Sequence, residues 1–206
     1  MSFRVSLPGA EVLFSTREGG FSEGAFESLN LGLLTGDDRK TVIRNRRRLA
    51  EVAGVVPENV AMGWQVHGTD IEEWEGPDPD TAFLDPQGGH LKVDGHLTRQ
   101  RDLAALVLVA DCLPVAIAGD GCVAMLHCGW RGLAGGLIVK AYERMRTPEK
   151  GARPVQAGDT AAAVGPGIGQ CCYEVGDEVL EAFAGYEGVA DGRMLNLCTP
   201  VKGPNP

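Results

Sequence analysis

Leu103-Ala104-Ala105-Leu106-Val107-Leu108-Val109-Ala110-Asp111-Cys112-Leu113-Pro114-Val115-Ala116-Ile117-Ala118-Gly119-Asp120-Gly121-Cys122-Val123-Ala124-Met125-Leu126-His127-Cys128 decides the fold. It holds three strongly apolar runs of strand length, 103–110, 114–118 and 122–126, and Gly119-Asp120-Gly121 between the last two reads as a hairpin turn. The hairpin sets Cys112 and His127, two metal-competent side chains, at strand ends where they can meet across paired strands.

Working outward, residues 12–16 read as a first strand, followed by a glycine-punctuated loop over 18–24 and a polar-apolar segment at 28–31. A helix is expected from Asp38 to Ala53, ending at Gly54. Residues 61–65 form a short strand leading into Val66-His67-Gly68, with 71–74 continuing it. The Pro-, Asp- and Gly-rich stretch 76–89 reads as a surface loop. Beyond the central hairpin, 132–136 open a helix with apolar positions Leu137, Val139, Ala141 and Met145, limited by Pro148. Residues 160–164 form another strand that breaks at Gly165-Pro166-Gly167-Ile168-Gly169, and Asp177 caps a helix running through Phe183. Strands and helices alternate throughout, which predicts an α/β protein, and a length of 206 residues fits one domain over 1–206.

A formal charge of −9 and a pI near 4.9 oppose attraction to phosphate backbones and anionic lipids, so neither nucleic acid nor membrane is an expected partner. The basic run Arg44 to Arg48 belongs to the expected helix and reads as its solvated face, with one or two residues turned inward. No apolar stretch approaches the length needed to span a bilayer, and the expected location is the cytoplasm. Six cysteines, two of them adjacent at Cys171-Cys172, make a poor disulfide framework in a chain of this size and read as reduced thiols.

Catalytic zinc takes three protein ligands from His, Cys, Asp or Glu and keeps a fourth position for water or substrate. His67, Cys112 and His127 supply such a set, although no compact spacing ties them together. Taken singly, Cys112 is a small buried hydrophobe and each histidine a satisfied polar group. Their position at strand ends beside glycine or proline, where a side chain can face a cleft, favours the ligand reading.

Gln65-Val66-His67-Gly68, Ala110-Asp111-Cys112-Leu113-Pro114, His127-Cys128-Gly129-Trp130-Arg131-Gly132 and Gly165-Pro166-Gly167-Ile168-Gly169-Gln170-Cys171-Cys172-Tyr173-Glu174-Val175-Gly176 resemble the laccase-domain (YfiH, DUF152) family. Ser15-Thr16-Arg17, Ser28-Leu29-Asn30-Leu31-Gly32, Asn45-Arg46 and Val93-Asp94 support the match, in family order over nearly the whole chain. The resemblance implies a four-layer α-β-β-α sandwich with mixed β-sheets. It also implies a purine nucleoside phosphorylase acting on adenosine, inosine and methylthioadenosine that deaminates adenosine as well. Zinc, with copper as an alternative, is then held by the residues matching His67, Cys112 and His127, where a bound ion can lower the pKa of water to about 7. Relatives continue past 195–197 with a helix, a strand and a Ser-Tyr-Arg-like segment, so the end at Pro206 is expected to expose a sheet edge and remove pocket wall.

Phosphorolysis needs an anion site, for which Arg46 is the first choice by its family match and Arg131 the second. Arg131 serves equally well as a brace for the Gly-rich turn. Asn30 and Gln65 can bond ribose or base, or satisfy backbone groups. The 165–169 loop lacks a dinucleotide fingerprint and reads as a tight connection. Glu174 reads as a cap or surface group, Asp111 as a support on the face opposite Cys112, and Trp130 as packing. His90 and His96, which bracket Asp94, read as solvated loop histidines. Rival readings are a metal-free cysteine hydrolase or deamidase using Cys112 and His127, copper-dependent phenol oxidation, peptidoglycan-precursor editing, and a pure binding role. Purine nucleoside and phosphate are the expected partners of a monomer or homodimer.

Overall fold

The computed structural model describes residues 2–76, 83–84, 91–147 and 153–201. Pro8-Gly9 reverses the chain between β1 (Ser2–Leu7) and β2 (Ala10–Ser15), an antiparallel hairpin. Only its second strand is announced by the sequence, because β1 carries polar and charged residues on its exposed face. Helix α1 (Arg39–Ala53) starts where the Asp38 carboxylate accepts from the Thr41 N–H at 2.8 Å and stops at Gly54. Its buried residues Val42, Asn45, Arg46, Leu49 and Ala50 follow the i, i+3, i+4, i+7 pattern of one face, while Arg44, Arg47 and Arg48 stay in solvent.

The expected strand 61–65 shrinks to β3 (Val60–Ala61). β4 (Ile71–Trp74) is a separate strand in a different sheet, and β5 (Gly95–Thr98) follows it in the described chain. The apolar run 103–110 forms only the two-residue β6 (Ala104–Ala105), which pairs in parallel with β3. The run 76–89 lies mostly outside the described residues, as do His90 and Pro148.

β7 (Leu113–Gly119) and β8 (Cys122–Cys128) pair antiparallel across the expected turn, with Leu113 opposite Cys128 and Gly119 opposite Cys122. The single helix expected after 132 is two: α2 (Trp130–Ala134) and α3 (Leu137–Arg146). They are separated by Gly136, whose φ of 78° leaves the right-handed helical region at a position that suits glycine. Then come β9 (Ala161–Val164), α4 (Asp177–Ala182), the short pair β10 (Ala190–Asp191) and β11 (Met194–Leu195), and α5 (Cys198–Val201). Asp177 does not cap α4; the cap position is Gly176, and Asp177 instead accepts from Arg193 at 2.6 Å.

A five-stranded mixed sheet in the order β4-β5-β8-β7-β9 organises the described chain, parallel at β4–β5 and antiparallel elsewhere. Every residue of β7 is buried, and side-chain size divides its faces. Leu113, Val115 and Ile117 join a core with Leu137, Ala141 and Met145 of α3, whereas Ala116 faces Val12 and Phe14 of the β1–β2 hairpin. The 4-residue spacing of the α3 core positions is the helical signal; Val139, expected inside, is 59% exposed because it lies off that face.

His96 contradicts its solvated reading. It sits in β5 fully buried, and its Nδ1 accepts from the Trp74 indole N–H at 3.1 Å. Burial lowers its pKa from 6.5 to about 4, because a charged imidazolium would lose its hydration there, and the Asp94 charge offsets part of that. The unfolded chain takes up that proton near 6.5, so the contribution to stability is complete above that pH. It is lost between 6.5 and 4, on the order of 3 kcal/mol at about 1.4 kcal/mol per unit. An NMR titration should find this imidazole neutral until pH nears 4; protonation near 6.5 would refute the account.

Candidate metal centre

The turn 66–68 carries His67 at φ 60°, a left-handed conformation that costs a residue with a Cβ about 1–3 kcal/mol. The Asp94 carboxylate holds it there, accepting from the backbone N–H groups of Val66 at 3.1 Å, His67 at 2.9 Å and Gly68 at 2.7 Å. Asp94 is fully buried immediately before β5, and its Oδ1 also lies 2.7 Å from Nδ1 of His127. Burial pushes its carboxyl upward, but hydrogen bonds from His127, Gly68, Val66 and His67 outweigh that, leaving it below the usual 3.8.

An ionised Asp94 fixes the His127 tautomer. Nδ1 carries the proton and donates to the carboxylate, so Nε2 presents its lone pair, an arrangement common to metal-binding histidines. Burial also lowers the His127 pKa from 6.5, with the His67 charge adding to the effect and Asp94 opposing it. The β8 backbone is tied to the same place, because the His127 N–H donates to the Asp94 carbonyl at 2.8 Å.

Cys112 enters from the residue before β7, close in register to His127, which pairs with Pro114. One donor atom from each of His67, Cys112 and His127 lies within 4.8 Å of the others. The imidazoles of His67 and His127 stand edge to face at 72°, with centroids 4.8 Å apart. Exposure falls from His67 through half-buried Cys112 to buried His127, so the group opens to solvent on the His67 side. Burial, with the charges of Asp111 and Asp94, raises the Cys112 thiol pKa. A thiol so placed is a weak nucleophile at neutral pH, whereas a bound cation deprotonates it outright. Two imidazoles and a thiol fit zinc, and also copper.

Gly129 completes the wall. A Cβ built there meets Cys112 Sγ at 3.0 Å and His67 Cδ2 at 3.1 Å. Gly129→Ala is expected to weaken zinc binding about tenfold while moving the melting temperature little, since the crowding falls on the donors themselves. Zinc titration beside thermal melts checks it, and unchanged affinity would show that the donors can give way.

Of the other expected site residues, Asn30, Gln65 and Arg46 are held by partners outside the three-donor group, whereas Arg131 follows Gly129 by two residues. The Asn30 amide donates to Thr35 Oγ1 and Asp37 and accepts from the Gly32 N–H. Gln65 exchanges two hydrogen bonds of 2.7 Å with the Leu108 backbone. Arg46 is buried on α1, donating to the Leu31 carbonyl at 2.8 Å and to the Phe83 carbonyl. Arg131 is exposed on α2, with its guanidinium 4.2 Å from the centroid of the Trp130 ring. Asp111 and Glu174 are exposed, and Trp130 is partly buried against the main core. A cleft of about 1570 Å³ is lined by Asn30, Leu31, Leu108, Ala110 and Pro166, among others, but by none of the three donor residues.

Sequence reasoning passed over the carboxylate that organises the centre. Asp94 entered only through its motif, because its partners, the 66–68 turn and His127, lie 26–33 residues away in the chain. Tyr173 is half-buried, and its hydroxyl is pushed up by burial and the Cys112 charge, with Arg131 opposing.

Residues 11–198 match the family described as multi-copper polyphenol oxidoreductase laccase. The chain is 38% identical over 177 residues to purine nucleoside phosphorylase YlmD of Geobacillus stearothermophilus, covering 85% of this chain and 63% of that protein. It is 33% identical over 189 residues to adenosine deaminase RL5 from an unknown prokaryotic organism, covering 89% and 69% of the two chains. The crystal structure of the Bacillus licheniformis hypothetical protein YfiH superposes with a TM-score of 0.78 at 26% identity, covering 92% and 74%. That of YlmD superposes with a TM-score of 0.74 at 35% identity, covering 86% and 65%. With its donor residues standing in the motifs that carried the resemblance and the match running from the first hairpin to α5, the chain belongs to the laccase-domain (YfiH, DUF152) family.

Proposed function

We propose that this chain is a zinc-dependent purine nucleoside phosphorylase of the cytoplasm that also deaminates adenosine, with His67, Cys112 and His127 as the ligands. The observation that carries the reading is the His127–Asp94 pair, which turns an imidazole lone pair toward a second imidazole and a thiol. Relatives named as purine nucleoside phosphorylases, and one as an adenosine deaminase, support the substrate class. The four-layer stacking belongs to the same proposal, supported by helices on one face of the large sheet and the β1–β2 hairpin on the other.

Zinc bound here would supply Lewis-acid polarisation of a substrate oxygen, or a water of lowered pKa, chemistry that the chain's own groups lack. Asp94 holds the His127 proton at Nδ1, which leaves Nε2 as the donor atom, and holds the 66–68 turn, so two donors are oriented before substrate arrives. Arg131 supplies the cation for phosphate at the exposed rim, its planar group backed by Trp130. Arg46, directed at backbone carbonyls, fixes the 30–31 segment against α1, and Gln65 fixes residue 108. Arg131→Ala is expected to raise the KM for phosphate about tenfold or more, the equivalent of one charge-assisted hydrogen bond, without changing zinc content. An unaltered phosphate KM moves the anion elsewhere.

The test is product identification with adenosine in the presence and absence of phosphate, on zinc-loaded and chelated protein. Adenine or hypoxanthine with ribose 1-phosphate identifies phosphorolysis; inosine alone identifies deamination. No turnover of adenosine by the zinc-loaded protein, with or without phosphate, overturns the proposal. One observation favours a second reading: Asp94, His127 and Cys112 follow the orienter, base and nucleophile order of a cysteine hydrolase. The raised thiol and the unused His67 weigh against it, and alkylation of Cys112 that abolishes turnover in active, metal-free protein would establish it.

A further inference from the structure

Cys171 and Cys172 take no part in the centre above, yet they form a built chemical group. Both are exposed on the 3₁₀ turn Gln170–Cys172, with their sulfurs 3.3 Å apart. The turn is anchored on each side. The Ile168 N–H donates to the Asp111 carbonyl at 2.8 Å, Gln170 donates to the Met194 carbonyl at 3.1 Å, and the Leu195 N–H donates to the Tyr173 carbonyl at 3.0 Å. A Cβ built at Gly167 would meet Leu113 Cδ2 at 2.5 Å and the Asp111 and Cys112 carbonyls at 2.9 and 3.2 Å, so the strap packs closely on that strand end. The paired thiols therefore sit on a fixed strap that touches the strand end bearing Cys112 and continues into Tyr173.

We propose that Cys171 and Cys172 form a redox modification site, a vicinal dithiol that closes to a disulfide by exchange with a low-molecular-weight disulfide. One thiolate attacks a sulfur of that disulfide and expels the first small thiolate. The neighbouring thiolate then attacks the protein sulfur of the mixed disulfide, forms the Cys171–Cys172 bond and expels the second. Two protein thiols lose two electrons and two protons, and the small disulfide gains them as two thiols. Closure is faster than the build-up of a mixed disulfide because the second sulfur already stands 3.3 Å away and needs no diffusional encounter. Adjacent Cα atoms stand about 3.8 Å apart, below the usual disulfide minimum of about 4.4 Å, so the ring is strained and readily reduced. Strained, exposed disulfides of this kind are the labile, regulatory ones. The same two sulfurs chelate a soft, thiol-seeking arsenical.

Reduced full-length protein is exposed to oxidised glutathione, alkylated and mapped by mass spectrometry. The peptide holding Cys171 and Cys172 is expected to be about 2 Da lighter than its reduced form, free of glutathione, and restored by dithiothreitol. Cys172→Ser is expected to trap a glutathione adduct on Cys171. Phenylarsine oxide provides an independent probe: either single serine variant should weaken its binding about 100-fold, because one of two linked contacts is lost. Both thiols are solvent-facing, so these variants keep the fold, which a thermal melt verifies. A stable adduct on the wild-type pair, an unmodified pair beside modified exposed Cys198, or arsenical binding that survives the single variants overturns the proposal. None of these readouts depends on which substrate the metal centre turns over.

Discussion

Asp94→Asn is expected to lower zinc affinity about 10- to 100-fold and to destabilise the protein by about 3 kcal/mol. For a chain of this size that is a fall in melting temperature of roughly 6–12 °C. The cause is one buried carboxylate with four donors aimed at it: three backbone N–H groups and the His127 Nδ1–H. An asparagine keeps one carbonyl oxygen and turns an NH₂ group toward donors that need an acceptor. The left-handed His67 then loses its restraint, and His127 loses the bond that selects its tautomer. The pH dependence carries the same signature. The Asp94 carboxyl lies below 3.8 in the folded chain, so its stabilisation is present above the unfolded value and is lost as pH falls through the folded one. His127 is also lowered, so the unfolded chain protonates first and stability declines as pH drops below 6.5. Thermal melts and zinc titrations from pH 8 to 3 on both proteins should show a weaker acid limb in the variant. Equal limbs and equal zinc affinity would remove Asp94 from the centre.

Cys112→Ala separates the metal from the fold. Structural zinc sites gain about 10–16 kcal/mol over four bonds, or roughly 3 kcal/mol per ligand, so losing one thiolate should weaken zinc by on the order of 100-fold or more. Cys112 is half-buried and lies outside the main core, so the metal-free variant should melt within about 2 °C of the metal-free wild type. Metal analysis after gel filtration, compared with melts, checks both halves. Unchanged zinc content would take Cys112 out of the ligand set, and a large fall in metal-free stability would make it a packing residue.

The legibility of this chain follows the range of the interactions involved. α1 was readable end to end, because its cap, its stop and its 3.6-residue apolar pattern are local, and the β7–β8 hairpin was readable because its turn and its apolar runs are contiguous. The run 103–110 was equally apolar but forms only a two-residue strand, since strand formation needs a partner edge and here β3 offers two residues. β1 and β5 escaped notice for the converse reason: pairing with β2 and β8 defines them more than their composition does.

The sequence by itself determined the α/β class, the central hairpin and, through its motifs, the family and the residues His67, Cys112 and His127. It could do so because residue type and strand-end position are written locally. Only the tertiary structure decided that these three meet, that Arg46 serves backbone carbonyls, that His96 is buried against Trp74, and that Asp94 organises the centre. Those facts rest on contacts between segments tens of residues apart, where burial removes water as an alternative partner and a single carboxylate must then satisfy every donor within reach.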